Sequence, residues 1–371
     1  MKKAIKYLFP SLVLCAAHLY AQEEKVENQP TLNFSAYADT YYSLYTNKLE
    51  ANALQPFTTV SPRDERFGLN VAQIGLSYDS EKVRGNFILH WGDIPQATWS
   101  SEFTNVQEAN VGVRLSQDWW LDAGFFTTHI GTESFLPKNN FLSSTAVATY
   151  NEPFYQAGAK LSYEGSEKFY AELWAVNGYN NFLDANDAKS FGVLLSYSFN
   201  ENTSLTYTNL LGRESLNDAS VDQFRTYHNL YLNTRFGEQL YLILGGDLGT
   251  QSNSKGSDLS ETAVMYNALA TLRYEIDPRW SITGRGEIFN DSHGFVSGVL
   301  PTLNSEIQGL ELWGATLGSE YRPNENAYMR AEARYLDVDD NTPIFEGDFS
   351  THKRWELMFT MGYRFDKLFD L

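Results

Sequence analysis

A single cysteine, Cys15, occurs in 371 residues, and no apolar run reaches the roughly 18–20 residues that a membrane-spanning helix needs. Cys15 falls within the first 21 residues. There Lys2, Lys3 and Lys6 precede the largely apolar run from Tyr7 to Leu19, and Ala21 ends the segment, as in a secretory signal cleaved after Ala21. Leu14, not a small residue, precedes Cys15, which argues against a lipoprotein signal. The exported chain is therefore expected to hold no cysteine, which excludes disulfides, thiolate nucleophiles and thiolate metal sites. Basic residues are scarce: 28 Lys and Arg face 46 Asp and Glu, a net charge of −18 that becomes −21 without the three signal lysines. Such a chain lacks the basic face that nucleic-acid binding requires. Missing apolar runs and a mean hydropathy of −0.38 exclude a polytopic helical membrane protein. A β-barrel stays open, because its strands alternate and average to near neutrality.

Enzyme signatures are also missing. Neither a Gly-x-Ser-x-Gly elbow nor a His-Glu-x-x-His pair is present, and of the histidines beyond the signal only His90 falls on the polar face of an alternating segment. The acidic stretch Asp337 to Asn341 starts like a calcium loop but has Thr342 where the EF-hand needs glycine. No metal, no cofactor and no enzymatic activity are expected. Aromatic residues, by contrast, are abundant, with 23 Tyr, 24 Phe and 8 Trp, which is folded-protein composition.

After a polar tail, 22–31, alternation takes over. Trp355, Leu357, Phe359, Met361, Tyr363 and Phe365 share one face, and Arg354, Glu356, Met358, Thr360, Gly362 and Arg364 the other. A period of two over eleven residues is a strand with one apolar and one polar face. Sixteen such segments can be counted between residues 32 and 366. Short turns such as Asp79-Ser80-Glu81 and Asp277-Pro278-Arg279 alternate with long polar loops such as 46–65, 131–152 and 337–352. Strict short/long alternation puts every second strand end on one side, an up-and-down meander with one trimmed rim. Strands of this length suit a tilted membrane crossing, and an open sheet edge is not tolerated in lipid. The expected fold is an all-β, closed, antiparallel transmembrane barrel of about sixteen strands spanning 32–371.

Several motifs add to this reading. Residues 34–42 (Phe34-Ser-Ala-Tyr-Ala-Asp-Thr-Tyr-Tyr), Ile74 to Tyr78, Lys82 to Gly92, Gly124 to Asn140 with Gly131, Glu133 and Asn139, Pro153 to Gly158 and Val176 to Asn181 follow in order. Together they resemble the β-barrel porin type 2 family of Gram-negative outer membranes. The resemblance implies an outer-membrane porin without naming a solute, and the function expected here is passive diffusion of ions and small hydrophilic solutes. One departure lies at the end, where Asp366 to Leu371 follow Tyr363-Arg364-Phe365 and no aromatic residue is terminal.

A barrel of about sixteen strands leaves an aqueous lumen, which lets charges on the inner face stay hydrated. The expected pore-lining residues are Arg84, Arg114, Arg225, Arg235, Arg285, Arg330, Arg334, Arg354 and Arg364, with Glu172, Glu287, Glu332 and Glu356 among them. Arg273, Asp39, Asp122, Asp247 and Glu320 share that face. Cross-strand pairing that holds the wall together is an equal reading of the same charges. Loop 131–152 carries Phe135, Leu136, Phe141, Leu142, Ala146, Val147 and Ala148, more apolar groups than a loop in water would keep. It is expected to fold inward as a constriction with Glu133, Lys138 and Glu152, setting Glu133 or Glu152 across from Arg84, Arg114, Arg354 or Arg364; the alternative is that it caps the outer rim or meets a neighbouring subunit. The expected partners are outer-membrane lipid and small hydrophilic solutes, with a homo-oligomer left open. A substrate-specific uptake channel and a plugged structural or adhesive barrel are the alternative functions.

Overall fold

The structure, a computed structural model, describes residues 29–50, 52–184, 186–217, 219–255, 259–300, 302–303, 308–345 and 351–371. The expected signal, 1–21, and most of the polar tail lie outside the described residues. Among the described residues sixteen strands follow one another. They are β1 (Thr31–Tyr45), β2 (Arg66–Asp79), β3 (Val83–Trp91), β4 (Val106–Ser116), β5 (Trp119–Thr127), β6 (Tyr155–Tyr163), β7 (Phe169–Val176) and β8 (Ser190–Asn200). The second half is β9 (Thr203–Arg213), β10 (Phe224–Phe236), β11 (Leu240–Gln251), β12 (Ala263–Glu275), β13 (Trp280–Asp291), β14 (Leu310–Asn324), β15 (Ala327–Val338) and β16 (Lys353–Asp370). Each strand pairs antiparallel with its neighbours in sequence, and β16 closes on β1 from Thr31↔Asp370 to Tyr45↔Glu356. Closure leaves no open sheet edge around the wall, the arrangement that a strand-built membrane protein requires.

Alternation decides which way each side chain points. In β16, Trp355, Leu357, Phe359 and Met361 are exposed on the outside, while Arg354, Glu356, Met358 and Thr360 are buried inside. The polarity is thus inverted relative to a water-soluble sandwich: apolar groups form the outer face, polar ones the interior. Even-numbered strands lead into connections of two to five residues, such as 80–82, 117–118 and 201–202, and odd-numbered strands into long ones, such as 46–65, 128–154, 292–309 and 339–352. The trimmed rim and the elaborated rim follow directly. Proline obeys the same logic, since it cannot donate to a ladder. Among the described prolines only Pro323 lies in a strand, at the register shift between Tyr321 and Asn324. Two short helices, α1 (Asp93–Thr98) and α2 (Val147–Asn151), sit in the second and third long connections, called here loops 2 and 3.

Candidate functional site

Loop 3, residues 128–154, does not stand out from the rim. It enters the barrel and crosses it. The entry is made by Gly131, whose φ of +119° few side chains tolerate, and a Cβ there would meet Glu152 Oε2 at 2.5 Å. The two legs of the loop therefore touch at a neck. Beyond it, Phe135 and Leu136 join Phe154, Ile94 and Trp99 in one apolar cluster, while Ala146, Val147 and Ala148 join Met265, Phe289, Leu336 and Phe345 in another. Each Leu or Phe so buried contributes roughly 1.5–3 kcal/mol, which holds an apolar loop against the wall rather than in water. Loop 1 (46–65) leans in as well: Thr59 Oγ1 lies 2.8 Å from Thr145 Oγ1, and Phe57 packs on Tyr150.

The far end of loop 3 is held by polar contacts to the opposite wall. The Val147 N–H donates to Glu287 Oε2 of β13 at 2.6 Å, and β13 lies eight strands from β5 in either direction around the barrel. The Ser144 N–H and hydroxyl donate to Glu332 Oε2 at 3.1 and 2.7 Å, and Ser143 Oγ lies 2.7 Å from Thr360 Oγ1. Arg330 donates to the carbonyls of Pro137 and Asn140 at 2.9 and 2.7 Å, and Arg285 to the Ser144 carbonyl at 2.7 Å. Beneath the loop the wall charges neutralise one another. Arg273 and Arg330 bracket Glu320 at 2.8 and 2.7 Å, Arg334 meets Glu287 at 2.8 Å, and Arg354 meets Glu356 at 2.5 Å. A buried charge is tolerated only when it is paired, and each of these arginines across β12 to β16 has a carboxylate partner. Nε of Arg273, Arg285 and Arg334 and Oε2 of Glu356 nevertheless make no hydrogen bond among the described residues.

The other side of the lumen differs. Along β3 to β10 the inward residues Arg84, Asn86, Asn110, Arg114, Lys160 and Arg235 are half-buried, although Trp174, Thr208 and Asn229 on the same strands are buried. Arg84 pairs with Asp122 at 2.5 Å and Glu164 at 2.7 Å, and Lys160 with Glu172 at 2.8 Å. Arg84 and Arg114 flank the Trp120 ring, their guanidinium carbons 4.5 and 4.4 Å from its centroid. Arg114 and Arg235 donate to the backbone carbonyls of Gln117 and Glu238. Above this side hangs Lys138, whose Nζ donates to Gln73 Oε1 at 2.6 Å. Burial holds its amine down at about 8, below the ordinary lysine value.

All the wall residues expected from the sequence stand on the inner face, but in three settings. Arg84, Arg114, Glu172, Arg225 and Arg235 belong to the uncovered side and the long-loop mouth, although Glu172 is itself buried against Lys160. Arg285, Arg330, Arg334, Arg354, Glu287, Glu332 and Glu356 do not face open water. Loop 3 and its neighbours cover them, and Arg330, Arg334 and Arg354 are 1%, 0% and 0% exposed. Arg364 lies at the trimmed rim, exposed. The expected opposition of Glu133 and Glu152 to Arg84, Arg114, Arg354 and Arg364 does not occur. Glu133 pairs with Arg285 at 3.0 Å, and Glu152 meets the Asp247 carboxyl. Loop length places these groups on opposite walls, a distance that one-dimensional spacing does not encode. The sequence reading also missed an inner cluster on β1 and β15. Tyr37 and Tyr328 hydroxyls lie 2.7 Å apart, Tyr328 donates to Asp39, and the Lys138 N–H donates to Tyr37 Oη. Its signal was available: Tyr37, Asp39 and Tyr41 recur at every second position of the polar face.

The chain matches the family model "Putative beta-barrel porin-2, OmpL-like" over residues 31–365. Comparison with curated proteins returns no sequence match. Among solved structures, the anion-selective porin from Comamonas acidovorans superposes with a TM-score of 0.63 at 10% identity, covering 91% of this chain and 100% of that one. OmpT of Vibrio cholerae in its trimer form gives 0.59 at 10% identity, covering 91% and 100%. The outer membrane channel DcaP of Acinetobacter baumannii gives 0.56 at 11%, covering 93% and 99%. At these identities the likeness is one of fold.

Proposed function

The chain belongs to the beta-barrel porin-2 family and is an outer-membrane channel, and from that premise we propose that it passes small hydrophilic solutes by passive diffusion, with a preference for anions. The observation that carries this reading is the asymmetry of the lumen. Loop 3 seals the β12 to β16 side, and its neck covers β7, β9 and β10 toward the long-loop mouth. Solutes therefore run along β3 to β10 toward the trimmed rim, where Arg114 and Arg235 rest on carbonyls and aromatic rings rather than on carboxylates. The exposed outer face, with Phe87, Leu173, Ile282 and Phe359, contacts lipid. Purified protein in a planar bilayer is expected to give discrete conductance steps and a reversal potential that favours the anion. Absence of conductance, or a cation preference, overturns the reading.

Lys138 makes the selectivity testable by pH. An amine held at about 8 is charged below that value and neutral above it, so its attraction for anions is present at neutral pH and fades above about pH 8. The anion/cation permeability ratio is expected to fall, roughly twofold, between about pH 7 and about pH 9.5. Lys138→Arg, which stays charged, is expected to flatten that fall. An unchanged decline in the arginine variant would assign it to another group.

The trimmed rim belongs in the periplasm and the long loops outside, since outer-membrane barrels keep short periplasmic turns. Ser220→Cys, exposed in the loop between β9 and β10, is expected to label on intact cells with an impermeant maleimide. Ser116→Cys, at the opposite rim, is expected to label only after lysis. The reverse pattern would invert the topology.

A further inference from the structure

One polar row of the inner wall is not used by the lattice that grips the tip of loop 3. Thr208, Asn229, Asp247 and Asn267 are neighbours in register on β9 to β12. Asp247 accepts from the Tyr227 hydroxyl at 2.8 Å, from Asn229 Nδ2 at 2.5 Å and from Asn267 Nδ2. Asn229 Nδ2 also donates to Thr132 Oγ1 of the loop neck at 3.0 Å. Onto this row comes Glu152, the residue that caps α2 and lies against Gly131, and its carboxyl hydrogen-bonds that of Asp247. Glu152 is 3% and Asp247 5% exposed. The groups facing Glu152 are Asp247 on β11, Tyr227 on β10, Tyr179 after β7 and Glu133 on its own loop. Arg285 of β13 is engaged with Glu133, and Arg225 of β10 lies over the Tyr179 ring, its guanidinium carbon 4.7 Å from the centroid.

Two carboxyl groups in hydrogen-bonding contact need a proton between them. Asp247 already accepts from three donors, a shell that suits an anion and leaves little lone-pair density for a metal ion. We propose that Glu152 is the protonated partner, and that this one proton latches the neck of loop 3 to β11, so that its loss frees the neck from the wall while Glu287, Glu332 and Arg330 still hold the tip. Burial and the neighbouring carboxylates of Asp247 and Glu133 hold Glu152 well above the ordinary carboxylate range. The sign follows from linkage. A group whose value is raised in the latched state stabilises that state at low pH and ceases to do so as pH rises through the raised value. The latch is therefore closed in acid and opens with alkali, and this pH dependence is independent of which solutes pass.

The test uses the expected absence of cysteine from the exported chain. Thr149→Cys places a thiol on α2, where Thr149 is buried. Its rate of modification by a small methanethiosulfonate is measured on the purified exported protein from about pH 6 to about pH 10, in the otherwise native chain and with Glu152→Gln added. Glutamine can donate to Asp247 but cannot ionise. Dividing the two rates at each pH removes the titration of the thiol itself. The ratio is expected to stay near unity in acid and to rise by up to about tenfold per pH unit above the Glu152 value, the slope that one proton allows. Asp247→Asn, whose amide can donate to an ionised Glu152, provides a second comparison if the glutamine variant does not fold. A ratio of one across the whole range in both comparisons overturns the proposal, whether or not the protein conducts.

Discussion

Replacing residues 138–148 by a short Gly-Ser linker is expected to raise single-channel conductance by more than about twofold, because that segment occupies lumen that a sixteen-stranded wall would otherwise leave to water. The ladder does not depend on it: pairing is continuous around the wall, including the fifteen-residue closure of β1 on β16. What the deletion removes is the cover over Arg285, Arg330, Glu332 and Glu287, which now hydrogen-bond loop 3. Those charges would exchange loop contacts for water, a transfer that costs little when the lumen can hydrate them. Beyond the share of the anion preference that goes with Lys138, selectivity is expected to change little, since the uncovered lattice holds nearly matched positive and negative groups, as its ion pairs show. Unchanged conductance after the deletion would move the constriction from the loop to the wall itself. Arg354→Ala, by the same argument, is expected to perturb the packing of Phe345 and loop 1 on its guanidinium and leave ion selectivity largely unaltered.

The second large effect separates two adjacent residues. Phe359 points outward, 44% exposed, and Thr360 points inward against Ser143. Phe359→Arg places a charge near the middle of the outer apolar band, where it costs roughly 2–4 kcal/mol. Assembly yield and heat-resistant mobility in gels are expected to drop. Thr360→Arg puts the same charge on the polar face, where the barrel can assemble. There is no room for it beneath the loop, however, so Ser143 is expected to be displaced and conductance to rise. Equal loss of assembly in the two variants would contradict the facing of β16.

The period of two by itself determined the facing of β16, because one step along an extended strand turns a side chain through the wall. Turn lengths determined the meander and its two unequal rims, and the count of sixteen strands followed from the same alternation. The apolar residues of 131–152 marked a loop that would not remain in water. Only the tertiary structure decided what those features meet. Arg330 and Arg84 both occupy inward positions, yet one is covered by loop 3 and the other is half-open beside Asp122. Likewise Glu133 found an arginine on β13, while Glu152, nineteen residues along, found an aspartate on β11. Facing is local and is written every second residue. Coverage depends on how far a 27-residue connection reaches across a closed wall, and that distance exists only once β16 has met β1.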